Sequence, residues 1–279
     1  MTRAGSPTEA RTLAPLERRV APVSGVERLG AYELITALDE SGPFPRPGQF
    51  YMLAAEKRWG GGGDERPYLP RAFSYARARR AGDALELDFL LETVGPGTER
   101  LAELEPREGL ALVGPLGVGF RQPPPGTSPV LVGGGIGVAP LLCLHDELIE
   151  AGAAVLLGFR TAAHAQAAAL FTAAEVATDD GSVGRAALVT DLLRERLTDD
   201  PAAAVFACGP PAMLEAVRVL CAARETPAQL ALESGMACGF GACFGCVAPT
   251  KAGYVRLCVD GPVLDAEHLD TAMFPGAEH

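Results

Sequence analysis

The chain has 279 residues, 48% of them hydrophobic and 21% charged, which is typical of a folded protein with about two domains. The formal net charge of −11 disfavours nucleic-acid backbones and anionic membrane surfaces as partners. No apolar stretch is long enough to cross a bilayer, and residues 1–19 lack the apolar segment of a secretion signal. The seven cysteines lack the spacing of a secreted disulfide scaffold. We therefore expect a cytoplasmic protein with a disordered polar leader over residues 1–19.

The first third of the chain consists of short strand patterns separated by glycine and proline. We predict strands over residues 31–38, 48–54, 72–78, 84–92 and 109–114. In residues 84–92 apolar side chains alternate with mostly polar ones, which is the period of a half-buried strand. These strands predict a small antiparallel β-barrel over residues 20–125, with a Gly-rich loop at 59–70 between two of them.

The pattern changes after the PPPG at residues 123–126, which predicts a domain boundary because proline stiffens a linker and removes ladder donors. Residues 130–152 read as a strand, a glycine turn and a helix, and further strands are predicted at 153–159 and 203–210. Strands that alternate with helices indicate a parallel sheet with helices packed on it. We therefore predict an α/β domain over residues 126–227 and a small C-terminal domain over residues 228–279.

The glycine turn VGGGIGVAP follows a strand and opens a helix, so its amides could face a phosphate. The usual NAD fingerprint is nevertheless absent, because Val138 stands where it needs Gly or Ala and Arg160 follows the second strand where it needs an acid. A tight strand-to-helix connection is the alternative reading. The partner turn ACGPPAM favours a nucleotide crevice between the two turns. The predicted nicotinamide-nucleotide residues are Gly134, Gly135, Gly137, Cys208, Gly209 and Pro210.

Four cysteines near the end have the spacing C-x₄-C-x₂-C-x₁₁-C, which matches the plant-type [2Fe–2S] ligand pattern. A tight loop around a small inorganic core needs unusual dihedral angles and close backbone approach, which the interspersed glycines permit. Structural zinc is the rival, although zinc sites usually contain two close cysteine pairs. The predicted metal ligands are Cys238, Cys243, Cys246 and Cys258.

The two glycine turns, preceded by a barrel that contains RAFS, resemble the ferredoxin–NADP reductase superfamily. That resemblance implies FAD in the barrel, with Arg71 at its pyrophosphate and Ser74 near the reactive edge of its ring. A solvated surface arginine is the alternative for Arg71. In GPGTERL, Gly97 and Thr98 fit either an anion site or simple helix capping with Thr98 as the N-cap.

The order of motifs from RAFS to LESGMACGFGACFGC resembles the electron-transfer subunit family of dihydroorotate dehydrogenase B over about residues 20–270. The family implies FAD, a [2Fe–2S] cluster on the four cysteines, and electron delivery to NAD⁺. Ala72 departs from it, standing where the family usually has proline, and the glycines at 60–63 lie outside its pattern. By this resemblance the flavin contacts are Arg71, Ala72, Phe73, Ser74, Leu90, Leu91, Glu92, Gly97 and Thr98.

The three predicted modules fill the sequence and leave no space for a substrate-oxidising barrel of about 250 residues. We therefore expect an oxidoreductase subunit of pyrimidine biosynthesis, with NAD reductase (diaphorase) activity and no catalytic side chain assigned. The implied partner is an FMN-containing dihydroorotate dehydrogenase catalytic subunit, in a heterotetramer with two copies of each. Two alternatives stay open: a reductase subunit that serves ferredoxin or a sulfur acceptor, and a metal-binding regulator without flavin. Arg160 leaves NAD against NADP open.

Overall fold

The computed structural model describes residue 13, residues 17–60 and residues 67–277. Most of the predicted leader and the centre of the predicted Gly-rich loop lie outside these ranges. The strands are β1 Arg19–Leu29, β2 Tyr32–Asp39, β3 Phe50–Ala55, β4 Arg71–Ser74, β5 Arg77–Ala81, β6 Ala84–Glu92, β7 Gly109–Leu116, β8 Ser128–Gly134, β9 Ala154–Phe159, β10 Glu175–Thr178, β11 Arg185–Ala186, β12 Ala203–Cys208, β13 Ala228–Ala231, β14 Val247–Thr250, β15 Gly253–Arg256 and β16 Val263–Asp265.

The α-helices are α1 Pro96–Ala102, α2 Ala139–Leu148, α3 Ala162–Ala165, α4 Val189–Asp199, α5 Pro211–Ala222 and α6 Leu257–Asp260. Short 3₁₀ segments are Gly135–Val138, Ile149–Ala151, Gln166–Leu170 and Ala266–His268. Within the described residues, no helix is both long enough and apolar enough to span a bilayer.

The N-terminal region is one antiparallel sheet with the strand order β4-β3-β7-β1-β2-β6-β5. Its two edge strands, β4 and β5, are separated by only two residues, so the sheet curves round into an open barrel. The predicted strand 72–78 is therefore wrong as a single element, because the chain crosses there from one edge to the other. The connection is buried at Tyr75 and Ala76, and the Ala76 amide donates to the Asp88 carbonyl at 2.7 Å.

The barrel core consists of large side chains from facing strands. Tyr51 makes edge-on contacts with Phe89 and Tyr75, at ring distances of 5.5 and 6.4 Å. No strand was predicted for β1, whose first residue, Arg19, falls in the predicted leader. Arg19 is buried and pairs with the Asp39 carboxylate at 2.8 Å, so the strand is bound to its neighbour from its first residue.

The second sheet has the order β11-β10-β9-β8-β12-β13-β16, and all neighbours are parallel except β13 and β16. The α/β prediction is therefore confirmed. The strand order reverses between β8 and β12, where ligands bind in sheets of this kind. The sheet continues past residue 227 through β13 and β16, and the domain divisions at 125/126 and 227/228 stay predictions.

The C-terminal cysteine loop is inserted between β13 and β16 and packs on the barrel. Those strands are antiparallel, with Ala231 opposite Val263, so the loop closes at its base. A small hairpin of β14 and β15 lies within it. Gly239 lies so close to β3 that a Cβ would come within 2.5 Å of the Met52 side chain.

Candidate functional site

Two cavities adjoin at the carboxyl edge of the parallel sheet. The first, of about 580 Å³, is lined by the barrel and by the start of the cysteine loop. The second, of about 500 Å³, lies along the ends of the parallel strands. Glu92, Ile136 and Glu233 line both cavities, so ligands in the two would meet at these residues. We refer to them as the barrel cavity and the sheet cavity.

The barrel cavity contains most of the predicted flavin residues, because β4 and the end of β6 lie on the same side of the barrel. Its wall includes Arg71, Ala72, Phe73, Ser74, Leu90, Glu92 and Thr98. The Leu91 side chain instead lies fully buried in the barrel core, as expected from the alternation of β6. Leu232, Ser234 and Met236 form the opposite wall.

Arg71 is held in place by three neighbours. Its guanidinium donates to the Leu69 carbonyl at 2.5 Å and lies 5.9 Å from the centre of the Trp59 ring, within range of a cation–π interaction. At Gly97 a Cβ would come within 2.7 Å of the Arg71 Nε, so only glycine leaves this arginine in its position. A fixed, charged fork in a cavity wall suits a pyrophosphate group.

Thr98 caps the turn that precedes α1, although it is not the N-cap. The N-cap is Gly95, and Thr98 lies inside the first turn because the helix begins earlier, at Pro96. Its hydroxyl accepts from the Val94 amide at 2.8 Å and donates to the Gly95 carbonyl at 3.0 Å. The Thr98 hydroxyl therefore caps the turn, as the capping alternative expects. The prediction that Thr98 is the N-cap residue is wrong, because that position is Gly95.

The two glycine turns of the sheet cavity pack against each other backbone to backbone. A Cβ on Gly137 would come within 2.6 Å of the Gly209 backbone, so the turns can approach only without a side chain there. Five of the six predicted nucleotide-binding residues line the sheet cavity, and Cys208 does not. The other five, in its wall, are Gly134, Gly135, Gly137, Gly209 and Pro210.

Cys208 is buried beneath its turn. Its Sγ lies 3.9 Å from the Glu233 Oε1 at the junction of the cavities. Burial, followed by the nearby Glu233 charge, raises the pKa of the Cys208 thiol well above its usual range. The thiol is therefore protonated at neutral pH, and the structure gives it no nucleophilic role.

One polar cluster in the sheet cavity was not predicted. Arg160 donates to the Glu92 carboxylate at 2.7 Å and lies 2.9 Å from the His164 Nε2, and the His164 ring makes an edge-on contact with Tyr32. Asp179, at the end of β10, lies in the same wall. The sequence places Arg160 at a strand end. Its partners Glu92 and His164 lie 68 and 4 residues away, and no local sequence pattern connects the three residues.

The four predicted cluster cysteines lie together as two pairs. The Cys238 thiol contacts that of Cys243, and the Cys258 thiol contacts that of Cys246. Burial alone would raise the pKa of Cys238, but the backbone amides of Cys243, Phe240 and Ala242 point at its sulfur and lower its pKa to about 6. Amides directed at a thiolate are the environment that an iron–sulfur cluster requires.

The second pair is more deeply buried. Burial, and then contact with the Cys246 thiol, raises the pKa of Cys258 to about 12, while the Gly241 amide faces its sulfur. Glycines at 239 and 241 have φ values of +79° and +87°, in the left-handed region that favours glycine, which confirms why the loop contains them.

The arrangement in two pairs bears on the choice between iron and zinc. A single tetrahedral zinc, with Zn–S bonds of about 2.3 Å, would hold its four sulfurs about 3.8 Å apart. In the described part of the chain no three of these sulfurs lie within 4.8 Å of one another. Two pairs suit a centre with two metals, each taking two thiolates, so the donor set fits a [2Fe–2S] cluster better than zinc.

The cluster loop starts at the wall of the barrel cavity. Met236 lines that cavity, and Cys238 follows it by two residues, which places the two Cα atoms at most about 7 Å apart. A cluster on these cysteines and a ligand in the barrel cavity are therefore close neighbours. The barrel cavity in turn adjoins the sheet cavity at Glu92, Ile136 and Glu233.

Comparison with solved structures identifies the fold. A chain of the NADH-dependent reduced ferredoxin–NADP oxidoreductase superposes with a TM-score of 0.73 and 21% identity, over 91% of this chain and 90% of its own. A ferredoxin–NADP⁺ reductase from Neisseria gonorrhoeae, solved with FAD and NADP, has a TM-score of 0.57 and 19% identity, over 74% and 91%. The fold is therefore that of the ferredoxin–NADP reductases, extended by a four-cysteine loop.

Sequence comparison identifies the family to which the chain belongs. Residues 233–270 match the model for the iron–sulfur cluster binding domain of dihydroorotate dehydrogenase B. The electron transfer subunit of dihydroorotate dehydrogenase B (NAD(+)) from Clostridium acetobutylicum is 35% identical over 80% of this chain and 86% of its own length. That from Bacillus velezensis is 36% identical over the same shares. The chain belongs to the family of dihydroorotate dehydrogenase B (NAD(+)) electron transfer subunits.

Proposed function

We propose that the chain is the electron-transfer subunit of a dihydroorotate-oxidising enzyme of pyrimidine biosynthesis, passing electrons from a partner catalytic subunit to NAD⁺. The observation that carries this function is the sequence of adjoining sites: the cysteine loop begins at the wall of the barrel cavity, which adjoins the sheet cavity. Electrons that enter at one end can therefore reach the other by passing between neighbouring sites. The cofactors are FAD, a [2Fe–2S] cluster and NAD(H).

Each site suits one of these groups. The barrel cavity holds FAD, with Arg71 at the pyrophosphate and β4 and the end of β6 along the ring. Cys238, Cys243, Cys246 and Cys258 hold the cluster. FAD, when bound, exchanges hydride with nicotinamide and single electrons with an iron–sulfur cluster. The chain itself binds, orients and isolates the reactants.

The glycine turns orient the nicotinamide nucleotide. Gly134, Gly135 and Gly137 line the crevice without side chains, beside Gly209 and Pro210 of the second turn. The reactive end of the nucleotide belongs at the junction with the barrel cavity, above the buried Cys208. The Glu233 carboxylate lines that junction and accepts from the buried Cys208 thiol at 3.9 Å, so it is held where it can align the nicotinamide.

We propose that the electron donor is a separate catalytic subunit, because the barrel, the parallel sheet and the cysteine loop account for the elements of the described residues. We propose that this partner carries FMN and that two copies of each chain form a heterotetramer. Cys243 is exposed, so the edge of the cluster faces outward and is accessible to a partner. Four cysteines that must remain thiolates favour a reducing compartment, and we propose the cytoplasm.

The experiment combines purification with reconstitution. Protein purified under anaerobic conditions should contain about one FAD and two irons per chain, and should oxidise NADH with an artificial acceptor. When mixed with an FMN-dependent dihydroorotate-oxidising subunit, it should couple dihydroorotate oxidation to NAD⁺ reduction. Flavin and iron without this coupling, together with reduction of ferredoxin or a sulfur acceptor, would favour the alternative reductase. Zinc in place of iron would contradict the proposal.

A further inference from the structure

We propose that Asp179 makes the sheet cavity selective for NAD(H) over NADP(H), by holding a carboxylate at the adenosine end while Glu92 neutralises Arg160. This inference rests on the proposed function, since it takes the sheet cavity as the nicotinamide-nucleotide site. It resolves the question that Arg160 raises in the sequence, where an arginine at a strand end would suit a 2′-phosphate.

The two ends of the sheet cavity are distinguished by what they adjoin. Hydride transfer requires the nicotinamide at the junction with the barrel cavity, where Glu92, Ile136 and Glu233 line both spaces. The adenosine must then extend away from the junction along the strand ends. That direction leads past the end of β9 to Asp179, at the end of β10, and to the start of α4 at Val189.

The Arg160 guanidinium is directed away from the adenosine end, towards Glu92 at the junction. It is the only arginine or lysine among the described residues that line the sheet cavity. Its Nη2 donates to the Glu92 Oε1 at 2.7 Å and lies 2.9 Å from the His164 Nε2. Glu92 belongs to the barrel, so the neighbouring module supplies the charge that cancels Arg160.

Asp179 is fixed by backbone contacts and keeps its carboxylate available. Its amide donates to the Phe159 carbonyl at 3.0 Å, and the following amide, of Asp180, donates to the Arg160 carbonyl at 3.4 Å. The turn therefore wraps over the end of β9. In the described ranges no basic side chain pairs with the Asp179 carboxylate, and the residue is exposed in the cavity wall.

A carboxylate in this place distinguishes the two coenzymes by charge. The 2′-hydroxyl of NAD(H) can donate a hydrogen bond to it, as acidic residues do in other dinucleotide sites. The 2′-phosphate of NADP(H) carries a charge of about −1.5 to −2 and has no donor to offer. With Arg160 neutralised, Asp179 repels that phosphate and no free cation offsets the repulsion.

The test replaces Asp179 by its neutral isostere and uses the adjacent acid as the control. Asp180→Asn removes the same charge one residue further along the chain. The Asp180 carboxylate accepts from the Ser182 hydroxyl at 2.6 Å and from the Ser182 amide at 3.0 Å, and Asp180 does not line the cavity. Two readouts are compared: kcat/KM for NADH and NADPH with an artificial acceptor, and binding of ADP and 2′,5′-ADP measured by calorimetry. The second readout does not depend on flavin.

Asp179→Asn should raise the NADPH/NADH ratio of kcat/KM at least tenfold. It should also strengthen the binding of 2′,5′-ADP relative to that of ADP by a similar factor. Asp180→Asn should change either ratio less than twofold, because an exposed charge further from the ligand is screened. Glu92→Gln should also favour the phosphorylated ligand, by releasing Arg160.

Equal ratios for Asp179→Asn and the wild type would overturn the inference, as would an equal effect of both Asp→Asn variants. A wild-type protein that contains flavin and oxidises NADPH as well as NADH would also overturn it. A protein that oxidises neither coenzyme and binds neither ADP nor 2′,5′-ADP would instead contradict the assignment of the cavity, and with it the proposed function.

Discussion

Replacing Gly97 by alanine should weaken FAD binding without destabilising the protein. The new Cβ would lie 2.7 Å from the Arg71 Nε and 3.0 Å from its Cζ and Nη2. These atoms are the mobile end of a long side chain, so the guanidinium moves away and the backbone stays in place. Gly97 lies in the first turn of α1, and its φ is outside the left-handed region, so alanine fits its backbone.

The magnitude follows from what the displaced guanidinium supplies. A hydrogen bond to a charged group contributes about 1.5–3 kcal/mol, so loss of one such bond to the pyrophosphate weakens FAD binding roughly 10- to 150-fold. Alanine in place of glycine in a helix contributes about 0.5–1 kcal/mol of stability. The FAD-free variant should therefore be as stable as the wild type, or more stable by up to about 1 kcal/mol.

The chain contains its own probe for this measurement. Trp59 is its single tryptophan, and the ring centre lies 5.9 Å from the Arg71 Cζ. Bound flavin should quench the tryptophan emission, so a titration of FAD-free protein with FAD gives the dissociation constant. Unfolding in urea, followed by circular dichroism, gives the stability of the same samples.

Gly95→Ala is the matched control. It lies two residues earlier in the same turn, its φ of 171° is extended backbone that any residue adopts, and no atom lies within 4 Å of the position of its Cβ. Its FAD affinity should equal that of the wild type. If Gly97→Ala binds FAD as tightly as Gly95→Ala, Arg71 does not hold the pyrophosphate. If Gly97→Ala is markedly less stable, the backbone and not the guanidinium has moved.

Three further predictions concern the cluster, the nucleotide crevice and the C-terminal segment. Cys246→Ser should lose most of the iron and the visible absorption of the cluster, whereas Cys221→Ser should retain both; equal iron in the two variants would contradict the ligand assignment. Gly137→Ala should lower the free energy of unfolding by about 2 kcal/mol or more, because its Cβ would meet backbone 2.6 Å away that has no flexible end; an unchanged urea midpoint would refute the close packing of the glycine turns. Glu215 has its pKa lowered to about 2, chiefly by Arg218 and also by the Ala272 amide at 2.7 Å. It therefore stabilises the fold fully above pH 4.5, and loses this contribution as the pH falls towards 2. Glu215→Gln should cost about 1–2 kcal/mol at pH 7 and progressively less below pH 4.5, and a cost independent of pH would contradict the charge pairing.

Features carried by short stretches of sequence were predictable. The alternation in residues 84–92 gave the bounds of β6 as the structure has them, and the spacing of four cysteines identified the cluster loop, since three ligands lie within nine residues. The N-cap and the split strand were mispredicted for a physical reason. Glycine at an N-cap has no side-chain signal, and a buried crossing between two sheet edges keeps the apolar composition of a strand.

Contacts between distant segments were not predictable. Glu92 was expected only as a flavin contact, and nothing in its neighbourhood indicates Arg160, 68 residues later, or the ring of Tyr32 beside His164. The sequence likewise separates Gly97 from Arg71 by the crossing between sheet edges and by two whole strands, β5 and β6, although their atoms nearly touch. Glu92 and Arg160 meet where the barrel joins the parallel sheet, whereas Gly97 and Arg71 meet within the barrel. In both cases the strand order that brings the residues together is not encoded in either segment.

The strand pairing at the base of the cysteine loop explains how one chain holds three sites at fixed separations. The loop leaves the parallel sheet after β13 and returns to it as β16, and the Leu232 amide donates to the Pro262 carbonyl at 2.9 Å across that base. Arg121, which precedes β8, pairs with Asp265 in β16 and so joins the loop's return strand to the link between barrel and sheet. On the other side, Gly239 packs against Met52 of the barrel. A loop closed at its base by sheet hydrogen bonds and held at Gly239 by the barrel cannot change its distance from either cavity unless one of these contacts breaks. The position of the cluster ligands relative to the flavin residues is therefore a consequence of sheet register, and a change at the base that leaves the four ligands in place should disturb electron transfer before it disturbs iron binding.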